Sequence, residues 1–181
     1  MTLFSNRHPL LRGLAAAALA LGLATPALAL KPGEPAPAFS LPKAGGGNVS
    51  LAEFRGQVVY LDFWASWCGP CRQSFPWMKE MQARFQAQGL RVLAVNVDGK
   101  SGDAETFLKQ FPEPGFTIAF DSKGATPAAY QIKGMPTSFL IGPDGTVLLV
   151  HQSFKDSDRE ELQAKLAAAL AAAKPQPGAT P

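Results

Sequence analysis

The sequence predicts an α/β sandwich built on a mixed β-sheet. The segments Val58–Trp64 and Leu90–Val97 are apolar on both side-chain parities, which is typical of strands buried on two faces. Between them, apolar residues recur at helical spacing after Pro70. A hairpin is predicted over 137–151 around the turn Gly142–Gly145, and a last helix follows it. This alternation of strand and helix predicts helices packed on a mixed sheet.

The first helix is defined by the spacing of its apolar residues. Phe75, Met78, Met81 and Phe85 recur at helical intervals, and Gly89 is a typical residue to follow a helix end. The two methionines fit the hydrophobic core better than a copper site.

Two further helices are predicted from their boundary signals. The segment Asp103–Phe111 suits a helix stopped by Pro112. Ser157 and, three residues later, Glu160 form a capping-box pattern that opens the last helix, which is expected to end near Ala173.

The chain divides into one domain and its appendages, because 181 residues leave little room for two cores. We expect a signal peptide over 1–29 and an extended Pro- and Gly-rich lead-in over 30–47. The folded domain is expected over 48–173, and a disordered Pro-rich tail over 174–181.

The N-terminal segment has the order of a secretory signal. Arg7 and Arg12 precede an apolar stretch, and the small-residue triplet 27–29 supplies a cleavage site after Ala29. The alternative is an uncleaved membrane anchor, since 13–30 is uncharged. In either case the domain is predicted to be periplasmic or otherwise outside the cytoplasm, where thiols are readily oxidised.

Composition excludes several classes of protein. The chain is 46% hydrophobic and 17% charged, which allows a packed core and does not fit disorder. The formal net charge is +3, and the basic residues are scattered singly, so no nucleic-acid partner is predicted. Two cysteines cannot form a disulfide scaffold or a four-cysteine metal site.

The cysteine pair carries the predicted chemistry. Cys68 and Cys71 enclose Gly69 and Pro70 at the junction between a buried strand and a helix. A helix N-terminus favours the thiolate, so Cys68 is the expected nucleophile, and the two-residue spacer lets Cys71 resolve a mixed disulfide. A purely structural bridge is the alternative, although so short a loop would stabilise the fold weakly. A c-type haem attachment would need a histidine at Arg72.

The motifs around this pair resemble the thioredoxin superfamily. DFWASWCGPC, over Asp62–Cys71, resembles the thioredoxin active site, and Pro76 matches the proline within its helix. GMPTSFLIGPDG, over Gly134–Gly145, resembles the cis-proline loop and the hairpin after it. With the export signal and the lead-in, the sequence looks most like the TlpA/ResA branch of extracytoplasmic thiol-disulfide oxidoreductases. The resemblance implies a thioredoxin fold, a central mixed sheet flanked by helices, for the domain over 48–173.

The resemblance also implies a substrate-binding surface. Pro136 is expected to be a cis-proline, although a trans-proline in an ordinary loop would be the expectation without the resemblance. The backbone of Met135 is then expected to pair with a substrate strand. Trp67, Gly69 and Pro70 complete the implied substrate-binding set, and Trp64 is expected in the core.

Asp62 is the third predicted catalytic residue. A carboxylate within the apolar run VVYLDFW is unfavourable unless it is paired or protonated. We expect Asp62 to accept the proton of Cys71 during resolution, the alternative being an Asp that faces water at the strand edge. The TlpA/ResA branch often has an uncharged residue at Asp62 and an acidic residue at Ser74, and thioredoxin's lysine has no counterpart in the strand over 90–97.

The predicted function is thiol-disulfide exchange, with reduction of disulfides in another extracytoplasmic protein as the favoured direction. The resemblance makes apocytochrome c and copper-chaperone cysteines plausible substrates. A membrane thiol donor is expected as the second partner, since an isolated dithiol drifts to its oxidised form outside the cytoplasm. No metal and no other cofactor is predicted. The alternatives are an oxidase or isomerase, or a copper- or haem-handling protein that uses the thiolates as ligands.

Overall fold

The computed structural model describes residues 30–174, so the predicted signal peptide and residues 175–181 of the predicted tail lie outside the described residues. The strands are, in chain order, β1 Ser40–Pro42, β2 Asn48–Ser50, β3 Val58–Trp64, β4 Leu90–Asn96, β5 Thr117–Phe120, β6 Thr137–Ile141 and β7 Val147–Gln152. The helices are α1 Gly69–Phe85, α2 Ser101–Leu108, α3 Ala125–Ala129 and α4 Arg159–Ala173.

The main sheet has five strands in the order β5-β4-β3-β6-β7. Strands β3, β4 and β5 are parallel, whereas β6 and β7 run antiparallel to their neighbours. This confirms the predicted mixed sheet. The central strand β3 is buried along its whole length, as its doubly apolar pattern predicts.

Two layers cover the two faces of this sheet. Tyr60 and Trp64 point from β3 into the layer formed by α1, α2 and α4. Leu61 and Phe63, at the alternate positions, point into the layer that contains β1, β2 and α3. A residue's parity on β3 therefore decides whether it lies under α1, and Asp62 shares the parity of Tyr60 and Trp64.

The lead-in also packs on the domain. Strands β1 and β2 form a two-stranded antiparallel sheet, from which Leu41 and Val49 are buried against the second layer. Pro35 forms a bridge to Thr146 beyond the hairpin turn, whose Gly145 has the positive φ that glycine tolerates. The sequence analysis did not predict this small sheet.

Four local structures differ from the predictions. The capping box of Ser157 and Glu160 is wrong: a short 3-10 turn precedes α4, and the backbone N–H of Lys155 donates to the Asp158 carboxylate instead. The second helix begins and ends earlier than predicted. Strand β5 and helix α3 were not predicted, because elements of four and five residues are too short to show a period.

Among residues 30–174, no helix is both long enough and apolar enough to span a membrane.

Candidate active site

Cys68 is the residue that opens α1. It occupies the N-cap with extended backbone angles, and Pro70 lies in the first turn, where its missing N–H leaves no unmet bond. The Cys68 Sγ accepts a hydrogen bond from the backbone N–H of Cys71, over 3.2 Å. A sulfur held at the positive end of the helix dipole is favoured as a thiolate once the protein is reduced.

Cys68 and Cys71 form a disulfide, with an S–S distance of 2.01 Å. The two residues are both buried but not equally, because Cys68 is 5% exposed and Cys71 is 0% exposed. Trp67, Gly69 and Pro70, the neighbours of Cys68, are all exposed. A partner protein can therefore reach Cys68 from outside, whereas Cys71 is covered by the fold.

Asp62 lies beneath α1 on the same face of the sheet as Trp64. It is 1% exposed, and its Oδ2 atom has no hydrogen-bond partner among the described residues. Burial raises the pKa of Asp62 well above its usual range. A water-facing strand-edge position is therefore excluded, and the carboxyl group can hold a proton at a pH where an exposed aspartate would have lost it.

The register of the sheet brings three strand ends to one edge. Trp64 at the end of β3 pairs with Asn96 at the end of β4, and Phe63 pairs with Thr137 at the start of β6. The loop that ends in Cys68 therefore emerges beside the loop before Thr137. The cysteine pair and the Met135–Pro136 loop, both predicted from the sequence, therefore lie at the same edge of the sheet.

The loop before β6 contains Met135 and Pro136, joined by a cis peptide bond. Pro136 is buried and Met135 is partly buried. An open pocket lies over this loop, between Lys133 and Ser153. The hydrogen bonds found among residues 30–174 do not use the backbone N–H or C=O of Met135, so both groups are available for a partner strand.

The sequence analysis missed an acidic anchor for the active-site loop. Asp98, just past β4, is 4% exposed, and its carboxylate accepts bonds from the Ser66 backbone N–H and hydroxyl and from the Asn96 amide. Ser66 stands two residues before Cys68, so Asp98 fixes the approach to the nucleophile. The one sequence signal that could have pointed to this role is the position of Asp98, an acidic residue just after the predicted strand over 90–97.

Other residues singled out in the sequence lie in the core. Trp64, Met78 and Met81 are fully buried, as expected. Ser74 is buried in α1, where its hydroxyl donates to the backbone C=O of Cys71, a helical contact with no chemical role. Trp67, by contrast, is 73% exposed, which fits the expected recognition surface. Within the described residues no group of three or more His, Cys, Asp or Glu side chains is placed to hold a metal.

Comparison with known proteins assigns the class. The AhpC/TSA family matches residues 32–150. The thiol-disulfide oxidoreductase ResA of Bacillus subtilis (strain 168) is 35% identical over 118 residues, which cover 65% of this chain and 65% of ResA. ResA of Bacillus cereus (strain ATCC 10987 / NRS 248) is 31% identical over 139 residues, covering 77% of this chain and 80% of that protein. The match to the Bacillus subtilis protein thus spans just under two thirds of its length.

A solved structure from Chlorobium tepidum, described as a thiol:disulfide interchange protein DsbE, is similar to this chain. It shares 57% identity and a TM-score of 0.76, and the alignment covers 78% of this chain and 99% of that one. This likeness confirms the thioredoxin fold predicted from the sequence.

The fold and the Cys-X-X-Cys pair together define a member of the thioredoxin superfamily. The chain belongs to the AhpC/TSA family.

Proposed function

We propose that this protein is an exported thiol-disulfide oxidoreductase that reduces disulfide bonds in another extracytoplasmic protein. The observation that carries the proposal is the asymmetry of the cysteine pair: Cys68 caps the helix and is flanked by exposed residues, while Cys71 is fully buried behind it. A structural disulfide would gain nothing from that arrangement, whereas a two-step exchange needs it.

The first step uses Cys68 of the reduced protein. Its thiolate attacks one sulfur of the substrate disulfide, so that a Cys68–substrate disulfide forms and the substrate bond breaks. The second substrate sulfur leaves as a thiolate and takes a proton from water. The N–H of Cys71 and the free N–H groups of the first helical turn stabilise the attacking thiolate.

The second step uses Cys71 and Asp62. The Asp62 carboxylate accepts the proton of the Cys71 thiol, and the resulting thiolate attacks Cys68 Sγ. The Cys68–Cys71 disulfide forms, the bond to the substrate breaks, and the substrate's remaining sulfur leaves reduced. Two electrons have then passed from the protein to the substrate. The burial of Asp62, which raises its pKa, suits it to receive this proton.

Substrate binding is assigned to the surface around Cys68. Trp67 offers a large exposed apolar side chain, and Gly69 has open space where a side chain would stand. The free backbone groups of Met135 can pair with an extended substrate segment beside Pro136, in the manner of strand addition. This surface suits a protein substrate rather than a small disulfide.

The reducing direction is inferred from the spacer. Gly69 and Pro70 supply no positive charge beside the Cys68 sulfur, so the reduced form gains no stabilisation from a neighbouring imidazolium. A membrane thiol donor would return the protein to its dithiol form. Apocytochrome c and copper-chaperone cysteines are the substrate classes that we carry forward from the family resemblance.

Trapping tests the proposal. The Cys71→Ser variant should accumulate mixed disulfides between Cys68 and its partners in an extracytoplasmic extract, and dithiothreitol should release them. Cys68→Ser and the double variant are the matched controls and should capture nothing. Equal capture by Cys71→Ser and Cys68→Ser would contradict the assigned roles.

A further inference from the structure

A row of polar side chains crosses the sheet on its α1 face. Asp62 of β3 pairs with Ser138 of β6, and Ser138 pairs in turn with His151 of β7. Directly opposed residues share a face of the sheet, and their Cβ atoms lie about 4.5–5.5 Å apart. On the other side of Asp62, the paired residue of β4 is Ala94. The polar neighbours of Asp62 within the sheet therefore lead in one direction, towards β7.

Ser138 forms the middle of the row and is held by Tyr60. The Tyr60 hydroxyl donates to Ser138 Oγ over 2.8 Å, and both residues are 2% exposed. The bond occupies one lone pair of the serine oxygen and leaves its hydrogen and another lone pair for its two cross-strand neighbours.

Both ends of the row carry unsatisfied atoms. Asp62 Oδ2 and His151 Nε2 are buried without a hydrogen-bond partner among the described residues. His151 Nε2 does lie 3.4 Å from an Asp158 carboxylate oxygen, which allows charge attraction but not a normal hydrogen bond. The His151 side chain is 24% exposed, so the row begins in the core and ends in contact with water.

We propose that the row Asp62, Ser138 and His151 carries the proton of Cys71 from the buried carboxyl group to solvent, with Tyr60 positioning the serine. The inference rests on the proposed function and deepens it. Asp62 gains one proton in each resolution step and has to lose it before the next one. A buried acid without a route to water would release that proton slowly.

The transfer balances as a relay. Asp62 Oδ2 and His151 Nε2 have no hydrogen-bond partner among the described residues, so these two side chains first rotate towards Ser138 Oγ. The Asp62 carboxyl group then gives its proton to Ser138 Oγ while the Ser138 hydroxyl gives its own proton to the His151 imidazole. The imidazolium then releases a proton to water, and rotation of the serine hydroxyl restores the start. No electrons move, and imidazole is suited to taking up and releasing protons near neutral pH.

The charged groups around the row are compatible with this direction. Asp62 is faced by Tyr60 from its own strand, by Ser138 from β6 and, within the same cluster, by the α1 layer that contains Cys71. His151 is faced by the carboxylates of Asp158 and, from α4, Glu161, whose pKa is lowered chiefly by Lys165 and also by His151. Both of these acids therefore lie at the exit end of the row, beside the imidazole.

Rapid-mixing kinetics of the full chain separate the two steps of exchange, and they are followed over successive turnovers with excess disulfide peptide and dithiothreitol, because Asp62 has to lose its proton between turnovers. The first step is formation of the Cys68–peptide disulfide from a model disulfide peptide, and the second is release of the peptide thiol, compared in the turnovers after the first. In weak buffer, His151→Gln should slow release by on the order of tenfold, less than the about 10²–10⁴-fold typical of a direct general base. Added imidazole should restore its rate in proportion to concentration.

Ser138→Ala should slow the same step, and imidazole should not restore the rate. The missing hydroxyl lies between Asp62 and His151, whereas added imidazole replaces only His151. Tyr60→Phe should slow release less, since the serine loses only its orientation. Tyr130→Phe, which removes a hydroxyl bonded to the Pro37 carbonyl outside the row, is the matched control and should release peptide at the wild-type rate. The first step should be unchanged throughout.

The outcomes are distinguishable from failure of the proposed function. A wild-type protein that never forms the mixed disulfide would overturn the function. Wild-type exchange with unaltered release in Ser138→Ala and His151→Gln would overturn the proton row. Slow release in His151→Gln that imidazole leaves unchanged would assign that residue a structural role, and would also overturn the row.

Discussion

The backbone N–H of Cys71 donates a hydrogen bond to the Sγ atom of Cys68, over 3.2 Å. This bond joins the two cysteines through the first turn of α1 and makes the sulfur of Cys68 the capping group of its own helix. In the reduced protein, we expect the same N–H and its neighbours to face the Cys68 thiolate. The fold therefore distinguishes the two cysteines before any substrate arrives.

The first prediction follows from this difference. Limited alkylation of the reduced protein at mildly acidic pH should label Cys68 first, because a stabilised thiolate reacts where an ordinary thiol does not. Peptide mass spectrometry would locate the label, and unfolded protein in denaturant is the control, in which both cysteines should react alike. Preferential labelling of Cys71 would reverse the roles of nucleophile and resolving thiol.

A site residue could be predicted from the sequence alone where its position depends on neighbours close to it in the chain. The positions of Cys68, Cys71 and Asp62 follow from local patterns: a strand that is apolar on both parities, then a helix start. Asp98 could not be found in that way, because its partner Ser66 is 32 residues away in the chain. Contacts of that separation depend on how β3 and β4 align.

The predicted capping box failed for a related reason. Ser157 and Glu160 have the right spacing, but the Ser157 hydroxyl donates to the Asp158 carboxylate, which also accepts a bond from the Lys155 backbone N–H. Several polar residues near one helix start compete for the same donors, and a spacing rule does not rank them. The polar row that ends at His151 was equally hidden, since its members come together only through strand register.

The second prediction concerns Asp62 and stability. Burial raises the pKa of Asp62 in the folded state. At a pH between the pKa of Asp62 in the unfolded chain and its pKa in the folded protein, the folded protein therefore binds more protons than the unfolded chain. The contribution of protonated Asp62 to the free energy of unfolding is therefore present below the unfolded pKa and is lost as the pH rises through the folded pKa. Each unit of pKa elevation corresponds to about 1.4 kcal/mol.

Asp62→Asn removes this penalty. The variant should have a higher denaturation midpoint than the wild type at pH 7, and the difference should shrink towards pH 4. It should also resolve the mixed disulfide more slowly, since the proton acceptor is gone. Urea titrations at several pH values would measure the first effect. An unchanged or lower midpoint at pH 7 would mean that the carboxyl group is paired or exposed, and the proton-acceptor role would fail.

The third prediction concerns the anchor of the active-site loop. Asp98→Ala leaves the donors of Ser66 and Asn96 without their shared acceptor, so the free energy of unfolding should fall by about 1–3 kcal/mol. Asp103→Ala, at an exposed acid on α2, is the control and should change it by less than about 0.5 kcal/mol. Equal stability of the two variants would show that Asp98 does not hold the loop.

The fourth prediction separates recognition from chemistry. Trp67→Ala should lower kcat/KM for a protein disulfide on the order of tenfold, while exchange with oxidised glutathione stays near the wild-type rate. Leu148, which is 43% exposed on β7, provides the matched control, and Leu148→Ala should affect neither substrate. Equal losses on both substrates would place Trp67 in the chemistry or the fold rather than in recognition.

The reduction potential of the Cys68/Cys71 pair tests the central claim most directly. The pure protein would be equilibrated with glutathione or dithiothreitol buffers and the samples quenched. The ratio of oxidised to reduced protein in each buffer would then give the potential. A Gly-Pro spacer without a neighbouring imidazolium predicts a potential closer to about −270 mV, the value for thioredoxin, than to about −120 mV, that of a strong oxidant. A value above about −180 mV, typical of a disulfide isomerase, would contradict the reductase account and favour an oxidase or isomerase.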